Sequence, residues 1–147
     1  WLCVPFEVRR KECEVNMTNI ERAEYARGLK AAGKCNCAQA AVAALYDLTN
    51  LDLDTLLQTT SGFAVGMGNM EATCGALIGA NIILGLIVKN GTVKYSKILQ
   101  NKFKEKTKAT ICKVIKGIET GEVLTPCDMC VYNAVIAFFE TLDEINK

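Results

Sequence analysis

Residues 73–88 read TCGALIGANIILGLIV, the most apolar stretch of the chain, opened by a cysteine and punctuated by three glycines. The uncharged segment from Ala72 to Val88, bounded by Glu71 and Lys89, has 17 residues. A helix needs roughly 20 residues to cross a bilayer, and Asn81 would lie near the membrane centre. The stretch therefore reads as a buried helix of a protein that does not span a membrane. Gly75 and Gly79 fall four apart on one helix face, a spacing that lets a second backbone approach closely.

The neighbouring segments are helical as well. Thr18 with Glu21 forms a capping box for a helix over 18–32 that Gly33 closes. Asn36 caps CAQAAVAALYDL and Asp52 caps the helix that ends before SGFAVGMGNM. Gly91 ends the apolar helix. Tyr95, Ile98, Leu99 and Phe103 trace an amphipathic stripe, and a short helix starts near Thr110. The last helix runs from Thr125 as N-cap, through Pro126 at its first position, to Ile145. Sustained alternation occurs only in LCVPFEV near the N-terminus. The expected fold is all-α, a compact bundle of six or seven helices in a single domain over 17–147. Residues 1–16 read as an N-terminal extension outside the native domain, so Cys3 and Cys13 carry no functional weight.

Composition narrows the chemistry. The chain has 147 residues, a net charge of +1, two prolines and no histidine. The missing imidazole removes the usual general base near neutral pH, the Ser-His and Cys-His pairings and histidine metal ligands. Eight cysteines remain, at positions 3, 13, 35, 37, 74, 112, 127 and 130. That density is below that of a secreted disulfide scaffold, and no secretory h-region precedes the domain. A reducing, cytoplasmic setting is expected, in which cysteines serve redox or metal chemistry or simply pack in the core. Nine lysines against one glutamate lie between Lys89 and Lys116. Without arginine or a nucleic-acid motif they read as a solvated helix face, and no nucleic-acid partner is expected.

The cysteines fall in a pattern. Cys37 follows the Asn36 cap, Cys74 opens the apolar helix, Cys112 follows Thr110, and Cys127 follows Pro126 with Cys130 one turn on. Helix N-termini offer unsatisfied N–H groups and positive potential, which favour a thiolate. Yet two thiolates about 6 Å apart repel by roughly 3 kcal/mol at an effective dielectric near 20, whereas a helix terminus stabilises each by about 0.3–2 kcal/mol. Convergent sulfurs must be partly protonated, oxidised in pairs, or neutralised by a metal or iron–sulfur centre. The spacing is poor for zinc, since CNC at 35–37 and CDMC at 127–130 are the only close pairs. CDMC at a helix start is a redox signal without the βαβ context of thioredoxin, and a bond within CNC would be strained, which sets Cys35 apart. The loop SGFAVGMG matches neither GxGxxG nor a Walker loop. It reads first as a tight turn beside the Cys74 helix, and second as a source of backbone N–H donors lining a sulfur pocket. Gly62, Gly66, Gly68 and Gly75 are the cofactor-contacting candidates in that second reading.

With NCAQA at 36–40, SGFAVGMG at 61–68, CGALIG at 74–79, TIC at 110–112 and Cys127 together, the chain resembles the C_GCAxxG_C_C family of redox-active proteins over about residues 18–146. The resemblance implies that Cys37, Cys74, Cys112 and Cys127 are the four signature cysteines and that Cys35 and Cys130 are additions. It also implies an unidentified redox partner or a transporter component as partner. The family's loop is richer in glycine where this chain has Ala64 and Val65. The leading expectation is a redox centre with Cys37, Cys74, Cys112 and Cys127 as catalytic thiols. It would work by thiol–disulfide exchange or by holding an iron–sulfur cluster on Cys37, Cys74, Cys112, Cys127 and Cys130. Cys130 would be a resolving thiol or spare ligand. Two alternatives stand beside it: a non-enzymatic metal-binding or sulfur-carrying module, and a helical interaction protein whose cysteines merely pack.

Overall fold

The computed structural model describes residues 17–147. The extension over 1–16, with LCVPFEV, Cys3 and Cys13, lies outside the described residues. Seven α-helices follow in order: α1 Asn19–Ala31, α2 Cys37–Ala43, α3 Leu53–Thr60, α4 Gly75–Val88, α5 Thr92–Thr107, α6 Cys112–Ile115 and α7 Cys127–Ile145. The expectation of an all-α domain with six or seven helices holds. Among the described residues no helix is long and apolar enough to cross a membrane.

Local chemistry sets the boundaries. Thr18 Oγ1 accepts from Glu21 N–H at 3.1 Å, and Gly33 (φ +70) closes α1 as Lys34 N–H reaches back to Leu29 O at 3.0 Å. Asn36 and Gln39 form a complete capping box at α2. Asp52 accepts from Thr55 N–H at 2.9 Å to start α3. Two sequence expectations are corrected. Lys89, with φ 68, is the cap that ends α4, and Gly91 instead precedes α5 in the left-handed region. Pro126 is the N-cap of α7, and Thr125 does not cap it, because its hydroxyl donates to Thr107 O at 3.2 Å.

Helix α7 is the centre of the bundle. Val131, Ala134, Val135, Ala137, Phe138 and Thr141 are buried along it, and α1, α2, α4 and α5 pack around it. Phe103 of α5 and Phe138 are among the largest fully buried side chains. The pairs Lys102–Glu144 (2.9 Å) and Lys106–Glu140 (2.7 Å) align α5 along α7; as partly exposed pairs they fix register more than stability. Arg22 donates to both oxygens of Asp47 and to Ala44 O, tying α1 to the turn after α2. In α4, Asn81 is accommodated by a 2.6 Å hydrogen bond from the Ser96 hydroxyl.

The glycines of the opening stretch do what their spacing predicts. A Cβ on Gly79 would stand 2.6 Å from Ala38 O, and one on Gly75 would stand 2.7 Å from Cys37 Sγ and 2.8 Å from Phe63 O. Only hydrogen at these positions allows α2 to lie against α4. Gly79→Ala should therefore destabilise the protein by about 1–3 kcal/mol, because backbone must shift to admit the methyl group. Gly28→Ala in α1, where a Cβ meets nothing within 4 Å, should stabilise it by roughly 0.5–1 kcal/mol. Urea denaturation of the two variants, read as midpoint shifts of opposite sign, checks the pair.

Candidate functional site

The starts of α2, α4, α6 and α7 converge on one cavity of about 250 Å³, lined by Cys37, Cys74, Cys112, Cys127 and Cys130. Each arrives by a distinct local device. Cys37 is the first residue of α2, placed by the capping box before it. Cys74 is the N-cap of α4. Two backbone hydrogen bonds, Cys74 N–H to Thr110 O at 2.7 Å and Cys112 N–H to Ala72 O at 3.0 Å, clamp the start of α4 to the start of α6. Between them lies an isolated antiparallel bridge, Thr73 with Ile111. Cys127 opens α7 beside Asp128, whose carboxylate is held to Arg27 at 2.9 Å, and Cys130 follows one turn later.

The loop before α4 braces this arrangement. Val65 is a β-branched residue at φ 56, ψ 42, a sterically costly left-handed conformation. Its N–H interacts with Cys37, so the strain lies next to the thiols. A Cβ on Gly66 (φ +53) would stand 2.7 Å from the Cβ of Cys112, so this glycine packs against that cysteine. Of the four glycines proposed as cofactor contacts, Gly75 lines the cavity and Gly66 supports it from behind. Gly62 and Gly68 are absent from its lining, and a Cβ on either would meet nothing within 4 Å.

The sulfurs are electrostatically unequal. The neighbouring Cys130 thiol is the main reason that the Cys74 thiol falls to about 7, against the opposing effect of burial. The N–H groups of Ala76 and Leu77 at the start of α4 and the charge of Lys116 act in the same direction. No full side-chain cap bond forms at Cys74, so these N–H groups act at longer range. The converse holds at Cys130: the neighbouring Cys74 sulfur and burial push its thiol strongly upward. The Cys130 thiol itself donates to Thr125 O at 3.7 Å. Burial raises Cys37 against the Val65 N–H and Lys30. Cys112 is raised by burial against Lys116. At Cys112 the helix is a single turn of four residues, too short to add much dipole. At Cys37 the capping box already occupies the Gln39 N–H. One proton therefore leaves the Cys74–Cys130 pair near neutrality, while Cys37 and Cys112 keep theirs.

Among the described residues no three Cys, Asp or Glu side chains gather closely enough to hold a metal ion. The five thiols surround a cavity without forming a ready ligand shell for a single metal ion. Cys35 is fully buried in the core and does not line the cavity.

Cys130, expected as a resolving thiol or spare ligand, is the neighbour that most affects Cys74. Other contributors are not singled out by the sequence. Lys30 and Lys116 line the cavity, but nothing in a lysine-rich surface pattern distinguishes them. The Val65 N–H acts through backbone geometry that its side chain disguises.

The asymmetry has a measurable signature. Alkylation at Cys74, followed by mass spectrometry of its peptide, should show a half-maximal rate at a pH of about 7. The rate should fall at lower pH as the sulfur is protonated. Cys130→Ala should move that midpoint upward, because the neighbouring thiol that contributes most to the lowering is lost.

The family model described as "Putative redox-active protein (C_GCAxxG_C_C)" matches residues 35–141, a span that holds all five cavity cysteines. No curated protein and no solved structure matches the chain. With most of its length and every cysteine of the cavity inside the matched span, the chain belongs to the C_GCAxxG_C_C family.

Proposed function

We propose that this protein is a thiol–disulfide redox protein in which Cys74 is the attacking thiolate and Cys130 the resolving thiol. The observation that carries the reading is the pairing of Cys74 and Cys130 in one cavity, where the Cys74 thiol is lowered chiefly by its Cys130 neighbour and the Cys130 thiol is raised chiefly by Cys74. An attacking thiol with a pKa near the ambient pH combines a substantial thiolate fraction with good nucleophilicity.

In the forward direction the Cys74 thiolate attacks one sulfur of a substrate disulfide. The substrate S–S bond breaks, a mixed disulfide forms at Cys74, and the first leaving group departs as a thiolate. Cys130 then gives up its proton to that thiolate and attacks the Cys74 sulfur. The second half of the substrate leaves as a thiolate, and Cys74 and Cys130 are joined. Two electrons have passed from the protein dithiol to the substrate disulfide, and a dithiol reductant restores the protein by the reverse exchange.

Equilibrating the protein anaerobically against dithiol–disulfide buffers of graded potential, with thiol counting, tests the reading. Two thiols per chain should disappear in one two-electron step, with the ratio of forms changing tenfold per about 30 mV. Cys74→Ser and Cys130→Ser should each abolish the step. Iron and acid-labile sulfide in anaerobically purified protein should be far below one per chain. Stoichiometric iron and sulfide, or thiols that never titrate, would count against thiol exchange.

A further inference from the structure

The cavity walls bear charge of one sign. Lys30, in the last turn of α1, and Lys116, the residue that caps α6, both line the cavity, and no aspartate or glutamate does. Both lysines are half-buried. Among the described residues the ion pairs are made by Arg22, Arg27, Lys102, Lys106 and Lys113, and neither cavity lysine has a carboxylate partner. Lys113, on the same short helix, is the residue that takes Glu119, at 3.4 Å. Lys116 is thus left with the sulfurs. A lysine near a helix C-terminus is ordinary. Two that converge from separate helices on a cavity of thiols, without a counter-carboxylate, leave positive potential there even when one sulfur is a thiolate.

Access restricts what can enter. Cys74 is 6% exposed and Cys130 3%, so a substrate sulfur must come into the cavity to be attacked. A cavity of about 250 Å³ takes a small molecule, and a sulfur in a folded protein surface would not reach so far. The charge matters for the same step, since a thiolate repels an approaching anion and flanking ammonium groups offset that repulsion.

Resting on the thiol–disulfide reading above, we propose that the cavity selects small disulfides that carry carboxylate groups, with Lys30 and Lys116 as their specificity determinants. Such a substrate places its S–S bond at Cys74 and its carboxylates toward the two ammonium groups, while Ala64, Val65 and Ile115 supply the apolar wall.

Three disulfides of similar size and different charge test this: dithiodiglycolate (anionic), hydroxyethyl disulfide (neutral) and cystamine (cationic). With the reduced full-length protein in excess, rates of mixed-disulfide formation and reduction should run anionic, then neutral, then cationic. Free glutathione, itself anionic, should show the opposite order. The readout is the anionic-to-neutral rate ratio, because a change in Cys74 reactivity affects both probes alike and cancels. Lys30→Gln with Lys116→Gln should lower that ratio by roughly tenfold, and added salt should lower it in the wild type. Lys116→Arg should preserve it. A ratio that is the same in wild type and double glutamine variant, with all three probes still reduced, would overturn the charge selection and leave the redox reading intact. Failure of all three probes to oxidise Cys74 and Cys130 would overturn the redox reading and this inference with it.

Discussion

The contact between α2 and α4 at Gly75 and Gly79 is the constraint on which the cavity depends. Two helices cannot bring their first residues together unless side-chain bulk is removed at the crossing, and hydrogen at these positions removes it: a methyl group at Gly75 would stand 2.7 Å from the Cys37 sulfur. Helix α6 is attached to the same point by the reciprocal backbone bonds between 72–74 and 110–112. Helix α7 completes the set because it is packed against α1, α2, α4 and α5 at once. The sulfurs are therefore positioned by backbone, the least adjustable part of the molecule, and a shared reactive cavity follows from packing.

Convergence alone would be unfavourable if all the sulfurs ionised, and the structure resolves this by making them unequal. The Cys74 thiol is lowered by its Cys130 neighbour, the N–H groups at the start of α4 and the field of Lys116. Burial meets less opposition at Cys37 and Cys112 and keeps them protonated. Cys130 stabilises the neighbouring thiolate only while it retains its proton, which makes it a donor first and a nucleophile second. Cys74 thus ionises ahead of Cys37, Cys112 and Cys130, the partly protonated solution among those open to convergent thiols.

Much of this was legible in the chain. Cap residues before each helix, the absence of alternation beyond the N-terminal stretch and the two glycines four apart were enough for the helices and for the closest helix contact. The four cysteines at helix starts were legible because capping chemistry is local. What escaped depends on distant partners. Thr125 looks like a cap in isolation, but its hydroxyl is taken by Thr107 O, and Pro126 takes the position instead. Cys130 reads as a resolving thiol or spare ligand, and only the packing of α7 against the start of α4 pairs it with Cys74. Lys30 and Lys116 lie 86 positions apart in the numbering, and only the fold brings both to one cavity. Treating the four helix starts as equivalent overlooked that α6 is one turn long and that the Asn36 box already uses an N–H of α2.

The central claim is that Cys74 and Cys130 act as one redox pair inside a cavity that holds three further thiols. Mild oxidation of the reduced protein, an acid quench to stop exchange, and mapping of cross-linked peptides by mass spectrometry test it most directly. The dominant bond should join Cys74 to Cys130, with Cys37, Cys112 and Cys127 recovered as thiols. A dominant bond between any other two of the five cysteines would contradict the account.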